Sequence, residues 1–332
     1  MNRCNNIETF AKLGNYLLDN PEELQAEVHR AYVYNNWFTK KNTEKALFNI
    51  ATYFLNAEKL TSWLKNYTLS LTDKVKTIAI VSAGNIPLVA FHDILCVLIT
   101  GNKLQLKLSE KDKILLPFLL NKLIEIDQSF SDKIEYCERL KNFDAIIATG
   151  SNTAAQHFQY YFGKYKNIIR KHRNAVAILD GTETIQDIEA LSDDIFDFFG
   201  LGCRNVSKIY VPENMDLEIL KIGFEKQRNL MEHTQYMNNL DYQRTIYLMN
   251  QIPMLDVDFI NIVENKSLYS PIACLHYERY KHKEEVENNL KLQQENIQCI
   301  IGKDTIPFGK SQQPSLSDYA DNVDTLEFIL SV

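Results

Sequence analysis

The sequence predicts an α/β fold built on a parallel sheet and preceded by a group of helices. Two observations predict it. Beyond residue 76, short apolar runs of strand length alternate with segments of helical length, and small polar turns separate them. That alternation indicates βαβ units, whose strands run parallel. The chain has 332 residues, 45% of them hydrophobic and 24% charged, which is enough for two domains with their own cores.

The N-terminal part reads as helices. Ile7, Phe10, Leu13, Tyr16 and Leu17 recur at helical spacing. Asn20-Pro21-Glu22-Glu23 opens a second helix, with Asn20 as N-cap and Pro21 at the first helical position. Further helices are expected over Thr43–Leu55 and Ala57–Tyr67. No repeat and no linker-like stretch interrupts the chain.

The predicted strands then follow: Thr77–Val81, Lys103–Leu108, Lys133–Cys137, Ala145–Thr149 and Asn167–Arg170. Helices are expected from Pro87 through the apolar run ending at Thr100, over Lys111–Ile126 despite Pro117, and over Asn152–Phe162. Ala175–Leu179, Ser207–Val211 and Ile272–His276 read as strands of a second α/β region, with a helix over Ile185–Phe199 and a terminal strand over Phe328–Val332.

Bulk properties exclude several function classes. A net charge of −7 argues against a nucleic-acid binder, which shows a basic patch or stripe. Six scattered cysteines (Cys4, Cys96, Cys137, Cys203, Cys274, Cys299), with no C-x-x-C pair, point to a reducing, cytoplasmic compartment and to no zinc site. Residues 1–6 precede no signal-peptide core, and the most apolar run, Ile86–Thr100, is too short for a membrane span and contains His92-Asp93. The seven histidines have no metal-binding spacing, and Cys274-Leu275-His276 reads as core residues on a strand. Asp193, Asp194 and Asp197 read as one face of a surface helix, and Lys164, Lys166, Arg170, Lys171 and Arg173 as a solvated basic face that meets CoA or NADP phosphates at most. Gly200-Leu201-Gly202-Cys203-Arg204-Asn205 lacks the third glycine of a dinucleotide fingerprint and follows a helix rather than a strand.

The chemistry centres on Phe198-Phe199-Gly200-Leu201-Gly202-Cys203-Arg204-Asn205-Val206-Ser207-Lys208. A cysteine on a Gly-containing turn between helix and strand offers access to a carbonyl, with neighbouring backbone N–H groups to donate. Taken alone, these residues favour a small buried hydrophobe. Three strand ends alter that balance: Ser82-Ala83-Gly84-Asn85-Ile86-Pro87 after the first strand, Lys107 with Ser109 and Glu110 after the second, and Gly150-Ser151-Asn152, a helix N-terminus able to receive phosphate, after Ala145–Thr149. Singly, they read as a turn asparagine, a solvated lysine and a capped turn.

Together, in this order, the motifs resemble the aldehyde dehydrogenase superfamily. Gly84-Asn85-Ile86-Pro87 resembles its asparagine loop, and Gly101 to Glu110 its G-N-x-x-x-x-K-P-x-E segment, with Leu108 in place of the proline. Thr149-Gly150-Ser151 resembles its T-G-S turn, Gly202–Lys208 its cysteine loop followed by a basic residue, and Ile306-Pro307-Phe308-Gly309 its late P-F-G motif. Within the superfamily the chain most resembles the luminescence-type acyl-CoA reductases, the LuxC family. Asn174–Gly181, Pro307–Pro314 and Asp318-Tyr319-Ala320-Asp321 carry that resemblance.

The resemblance implies an aldehyde-dehydrogenase-like fold: a Rossmann-type NAD(P)H-binding domain with N-terminal helices over residues 1–174, a catalytic cysteine domain over 175–305, and a segment 306–332 that returns to the domain interface. It implies Cys203 as acyl-accepting nucleophile, and Asn85 with the Cys203 N–H as oxyanion hole. Lys107, Ser109 and Glu110 would hold the adenosine ribose of NADH or NADPH, and Gly150 with Ser151 the pyrophosphate. The implied partners are an acyl-CoA or acyl-carrier substrate and a second copy or an acyl-delivering enzyme, with no metal.

Two departures from the superfamily pattern matter. No residue between Ala145 and Leu179 is acidic, so the E-L-G-G glutamate that activates water is missing and Ile169-Arg170-Lys171-His172-Arg173-Asn174 stands there; that His172 substitutes as base is the weaker expectation. Ser267-Leu268-Tyr269-Ser270-Pro271 replaces the E-x-F-G-P carboxylate. A missing water-activating base favours reduction of a thioester over oxidation of an aldehyde. An oxidising dehydrogenase and a non-catalytic partner subunit are the rival expectations.

Overall fold

The computed structural model describes residues 3–68 and 74–332, with side chains from Asn6 onward; Met1, Asn2 and residues 69–73, and the side chain of Cys4, lie outside the described residues. The chain forms two compact units, residues 1–172 with 314–332, and residues 173–313.

In the first unit, α1 (Arg3–Asp19), α2 (Glu22–Tyr34), α3 (Lys40–Asn49) and α4 (Ala57–Leu64) precede β1 (Thr77–Val81). A π-helical turn, Ile50–Phe54, extends α3. There follow α5 (Phe91–Ile99), β2 (Lys103–Lys107), α6 (Leu115–Ile126), β3 (Ile134–Tyr136), β4 (Ala145–Thr149), α7 (Asn152–Phe162) and β5 (Lys166–Arg170). The five strands lie in the order β3-β2-β1-β4-β5 and every pair is parallel. Ile78 and Ile80 of β1 sit beside Leu104 and Leu106 of β2 and face the core built with α1–α6. The alternate residues Ala79, Ile146 and Ala148 face the other way, against Phe158 and Phe162 of α7. Both faces are thus covered, as an all-parallel sheet requires.

Several boundaries differ from expectation, each for a local reason. Asn20 takes a left-handed φ of 46° and Pro21 becomes the N-cap of α2. The turn after Pro87 runs on to Phe91, because Leu88 is also left-handed (φ 60°). α6 begins at Leu115, which puts Pro117 in the first turn, where its missing N–H has no carbonyl to bond. Phe328–Val332 is not a strand. Asp324 caps a short helix, Thr325–Leu330, by accepting from Glu327 N at 2.8 Å, and Leu326 and Ile329 bury its inner face in the first core.

That C-terminal segment is held in the first unit by polar contacts. Trp63 Nε1 donates to the Tyr319 hydroxyl at 2.9 Å, and Tyr67 donates to Asp324 at 2.7 Å. Arg170 donates to Thr325 Oγ1 at 2.8 Å and forms a short ion pair with Asp93. Arg170 therefore leaves the expected solvated basic face: it is buried, and a buried guanidinium needs a carboxylate.

The second unit contains β6 (Asn174–Ile178), α8 (Ile185–Phe196), β7 (Val206–Pro212), α9 (Glu218–Phe224), α10 (Thr234–Met249), β8 (Met254–Val257), β9 (Ile260–Glu264), β10 (Cys274–Tyr280), α11 (Lys283–Leu292) and β11 (Ile297–Ile301). Its sheet runs β11-β6-β7-β10-β9-β8, parallel except for the β8–β9 hairpin. Thr184 and Asp187 form a capping box at the start of α8, and Phe196 at its end packs edge-on against Phe224 and Phe259. Val176, Ile178 and Tyr210 form a small core with Val286 and Leu290 of α11.

Breaking the buried pair by Asp93→Asn is expected to strand the Arg170 charge and cost about 3–5 kcal/mol of unfolding free energy in urea titrations. The double change Asp93→Leu with Arg170→Met is expected to recover most of that loss. A single variant as stable as wild type would show that the pair carries no such penalty.

Candidate active site

In the first sheet the strand order reverses between β1 and β4, and the loops that leave their carboxyl ends are Ser82–Asn85 and Gly150–Ser151. The β2 loop, with Lys107, Ser109 and Glu110, leaves the same edge. In open parallel sheets this edge, at the switch point, is where ligands bind. Six of the seven residues singled out in the sequence are therefore brought to one edge, while Cys203 belongs to the second unit.

The β1 and β2 loops are built against each other. Ser82 Oγ donates to Lys107 O at 3.2 Å and accepts from Ser109 N at 2.9 Å. A Cβ on Gly84 would come within 2.8 Å of Ser109 Cβ, so only glycine fits. From the far side, Tyr34 donates to Glu110 O at 2.9 Å and the Asn35 amide to Lys111 O at 3.1 Å. Buried Asp112 accepts from Leu88 N at 3.0 Å and so closes the asparagine loop; burial pushes its carboxyl up to about 6. Asn85 is half-buried, and Lys107 and Glu110 are exposed, Glu110 pairing with Lys113 at 2.6 Å.

After β4, Gly150 lies where a Cβ would meet Ala154 Cβ at 2.8 Å, so the chain enters α7 tightly. Ser151 is the N-cap, its Oγ accepting from Ala154 N at 3.2 Å. The turn thus presents a hydroxyl beside the positive end of an 11-residue helix. Asn152 Oδ1 accepts from His172 N at 3.2 Å.

In the second unit, Cys203 is half-buried at the second position of a turn closed by Asn205 N donating to Gly202 O at 3.1 Å. The expected helix over Ile185–Phe199 stops at Phe196: Phe198, Phe199 and Gly200 are successively left-handed, with φ of 53°, 58° and 74°. Two consecutive non-glycine residues in that region carry backbone strain. Phe199 is held there by rings, its centroid 4.3 Å from His233 and 5.8 Å from Tyr236. The neighbouring N–H groups are not all available to a substrate, contrary to expectation. Leu201 N donates to Phe198 O at 3.1 Å, and Gly202 N to Asn205 Oδ1 at 2.8 Å.

The acidic residues near Cys203 also depart from expectation. Asp194 and Asp197 are buried rather than on a surface face, and only Asp193 reaches outward, to Lys226 at 2.9 Å. Asp194 accepts from Gly309 N at 2.6 Å and Ser311 N at 2.9 Å, which clamps the Pro307-Phe308-Gly309 turn onto α8. Gly309 is left-handed (φ 78°), and a Cβ there would press on Ala190 Cβ at 3.3 Å. Burial pushes the Asp194 carboxyl up to about 6, against the two donated N–H groups.

Lys208, the basic residue after the cysteine loop, is fully buried. It donates to Glu278 at 2.6 Å and to Lys266 O at 2.8 Å, and lies 4.8 Å from the Tyr210 ring centre. Burial pulls its ammonium below the ordinary lysine range, with Glu278 opposing. The Ser267–Pro271 segment is pinned by main-chain carbonyls: Ser207 Oγ donates to Leu268 O at 2.6 Å and His276 Nδ1 to Ser267 O at 3.1 Å. His276 and Cys274 are buried strand residues, as read from the sequence. Among the described residues no group of three or more His, Cys, Asp or Glu is arranged to hold a metal, and no helix is long and apolar enough to cross a membrane.

Sequence reasoning gave Ser82, Asp112 and Asn205 no structural role and placed Asp194 on a surface face. Each is a small polar residue of the kind that turns use everywhere, and only burial distinguishes it.

The family model described as acyl-CoA reductase (LuxC) matches residues 56–224, just over half of the chain. No curated protein sequence gives a significant match. Among solved structures, an indole-3-acetaldehyde dehydrogenase from P. syringae, in complex with NAD+ and IAA, superposes with a TM-score of 0.63 at 15% identity, covering 87% of this chain and 69% of that one. The aldehyde dehydrogenase 21 of Physcomitrella patens, in complex with the reaction product succinate, gives 0.64 at 14% identity over 92% and 74%. A propionaldehyde dehydrogenase from the Clostridium phytofermentans fucose utilisation bacterial microcompartment gives 0.63 at 11% identity over 95% and 82%. At these identities the likeness shows the fold, which is that of the aldehyde dehydrogenases.

Asp194→Asn is expected to leave one buried N–H unpaired and to lower the unfolding free energy by about 1–3 kcal/mol. Because burial raises this carboxyl from 3.8 to about 6, the folded chain holds an extra proton between those values, and wild-type stability falls as pH rises through them. The wild-type advantage over Asp194→Asn should therefore be larger near pH 4 than near pH 7. Urea titrations of both proteins at the two pH values check it; an advantage that grows with pH would contradict the assigned burial.

Proposed function

Because the chain belongs to the LuxC family of acyl-CoA reductases, we propose that it reduces an acyl thioester to an aldehyde with NAD(P)H, through a thioester on Cys203. What supports this reading is the missing glutamate of the superfamily pattern, together with the burial of the acidic residues nearest to Cys203 in sequence. A dehydrogenase that oxidises aldehydes to free acids needs a base, a glutamate in the superfamily pattern, to activate water against the acyl-enzyme. Here the run from Ala145 to Leu179 contains no acidic residue, and Arg170 within it is locked onto Asp93. Asp194 and Asp197, nearest to Cys203 in sequence, are buried, and Asp194 is occupied by two backbone N–H groups. The acyl-enzyme then outlasts attack by water.

In the proposed sequence, the Cys203 sulfur attacks the acyl carbonyl carbon, the carbon–sulfur bond to the carrier thiol breaks, and the carrier leaves as a thiolate that takes up a proton. The Asn85 carboxamide and the Cys203 N–H donate to the developing oxyanion, where losing one donor costs about 2.7–4 kcal/mol of barrier. The donor set at the edge of the first sheet fits a nicotinamide dinucleotide: Gly150 and Ser151 at the start of α7 for the pyrophosphate, and Lys107, Ser109 and Glu110 for the adenosine ribose. When bound, the cofactor supplies the hydride. Loss of the Cys203–carbon bond then frees the aldehyde, and the thiolate is ready for another turnover. Acyl-CoA and carrier-bound acyl groups are the proposed substrates, and a second copy or an acyl-delivering enzyme the proposed partner.

The test mixes wild type and Cys203→Ser with acyl-CoAs of short, medium and long chain and NADH or NADPH, following nicotinamide absorbance and intact mass. Wild type is expected to gain an acyl adduct and consume reduced cofactor, and the variant to do neither. Turnover only with aldehyde and oxidised cofactor would favour the oxidising reading. A Cys203 no more reactive than the other thiols would favour a non-catalytic subunit.

A further inference from the structure

We propose that Asn205 is the positioning residue of the Cys203 turn: one buried carboxamide staples both ends of the turn and seats it on the end of α8. The proposal rests on Cys203 being the reactive thiol.

Asn205 is 2% exposed. Its Nδ2 donates to three carbonyls at the end of α8: Asp194 O at 3.1 Å, Ile195 O at 3.4 Å and Asp197 O at 2.8 Å. These are carbonyls that a helix end leaves without intrahelical partners. The left-handed run Phe198–Gly200 carries the chain away from the helix, so the side chain caps what the backbone does not. Its Oδ1 accepts from Gly202 N at 2.8 Å, while its own N–H donates to Gly202 O at 3.1 Å. Gly202 and Asn205 are therefore joined twice across the turn, and only Cys203 and Arg204 lie between them.

That geometry makes the turn a rigid extension of α8. Asp194, whose carbonyl Asn205 holds, uses its carboxyl for Gly309 and Ser311, so the cysteine turn and the Pro307-Phe308-Gly309 turn share one helix end. The titratable or charged groups on and against these elements are Asp193 with its partner Lys226, Asp194 and Asp197 at the end of α8, Arg204 in the turn, Lys310 in the docked loop, and His233 and Tyr236 against Phe199. A thiolate is stabilised by charges and N–H dipoles held at fixed distances from it. Loosening the turn disperses them without removing the cysteine.

The experiment compares wild type, Asn205→Ala and Leu191→Ala. Leu191 is a fully buried α8 residue whose loss destabilises the same helix while leaving the turn's hydrogen bonds in place. The first readout needs no substrate: the pH dependence of Cys203 alkylation by iodoacetamide, resolved from the other cysteines by peptide mass. Asn205→Ala is expected to move the midpoint of the Cys203 profile up by about one pH unit and to slow alkylation near pH 7 about tenfold. Leu191→Ala is expected to leave both unchanged. The second readout is steady-state acyl-CoA reduction, where Asn205→Ala should lower kcat by about a hundredfold and leave KM within about threefold.

Should the alanine variant not fold, Asn205→Asp replaces it. That variant keeps an acceptor for Gly202 N and loses the amide nitrogen whose two N–H groups reach the three carbonyls, and the same shift in midpoint is expected. An unchanged midpoint in either folded Asn205 variant overturns the proposal, and so does a Leu191→Ala variant that reproduces the shift. A wild type that reduces no acyl-CoA, alongside a shifted Asn205 midpoint, sinks the reductase reading and leaves the positioning role standing.

Discussion

Parallel strands cannot be joined by a tight turn, and that constraint shapes the first unit. Each connection must cross back over the sheet, usually as a helix, so every loop leaving a strand's carboxyl end opens on the same edge. The motifs carrying Asn85, Lys107 and Ser151 are 22 and 44 residues apart in sequence, yet β1, β2 and β4 are direct neighbours. Their convergence follows from strand order. Close packing then refines it: Gly84 admits Ser109, Ser82 bridges the two strand ends, and Asp112 closes the asparagine loop.

The second unit uses buried polar groups for the same end. Its cysteine turn follows a helix that ends in a strained, left-handed run, and such a run persists only where the surroundings over-determine it. Here the surroundings are the His233 and Tyr236 rings on Phe199, the Asn205 carboxamide, and the Asp194 carboxyl beneath the Pro307-Phe308-Gly309 turn. Lys208 and Glu278 brace the next strand. Asn205, Asp194 and Lys208 are all buried, so the turn and the strand after it are held from inside the unit.

Charge was the property least legible in one dimension. Arg170 sits among lysines, and Asp194 among other aspartates, so composition assigns both to solvated faces. Each is instead inside, because a partner more than seventy residues away satisfies it: Asp93 for Arg170, and the Gly309 and Ser311 amides for Asp194. Helix ends were misread for a related reason. The apolar pattern runs through Phe199, and the terminal Phe328–Val332 looks like a strand, but the Asn205 carboxamide ends one helix and the Asp324 cap starts the other.

The sequence by itself determined the α/β class, the strands Thr77–Val81 and Ala145–Thr149 residue for residue, the helix Asn152–Phe162, and the family, because these rest on local period and on motif order. Strands register through alternation within a few residues, and a helix needs only its own cap and apolar face. The tertiary structure decided which charges are buried, which backbone N–H groups near Cys203 are already spent, and where helices stop. Those outcomes depend on partners distant in sequence, and burial, which makes an unpaired polar group costly, exists only once the chain has folded.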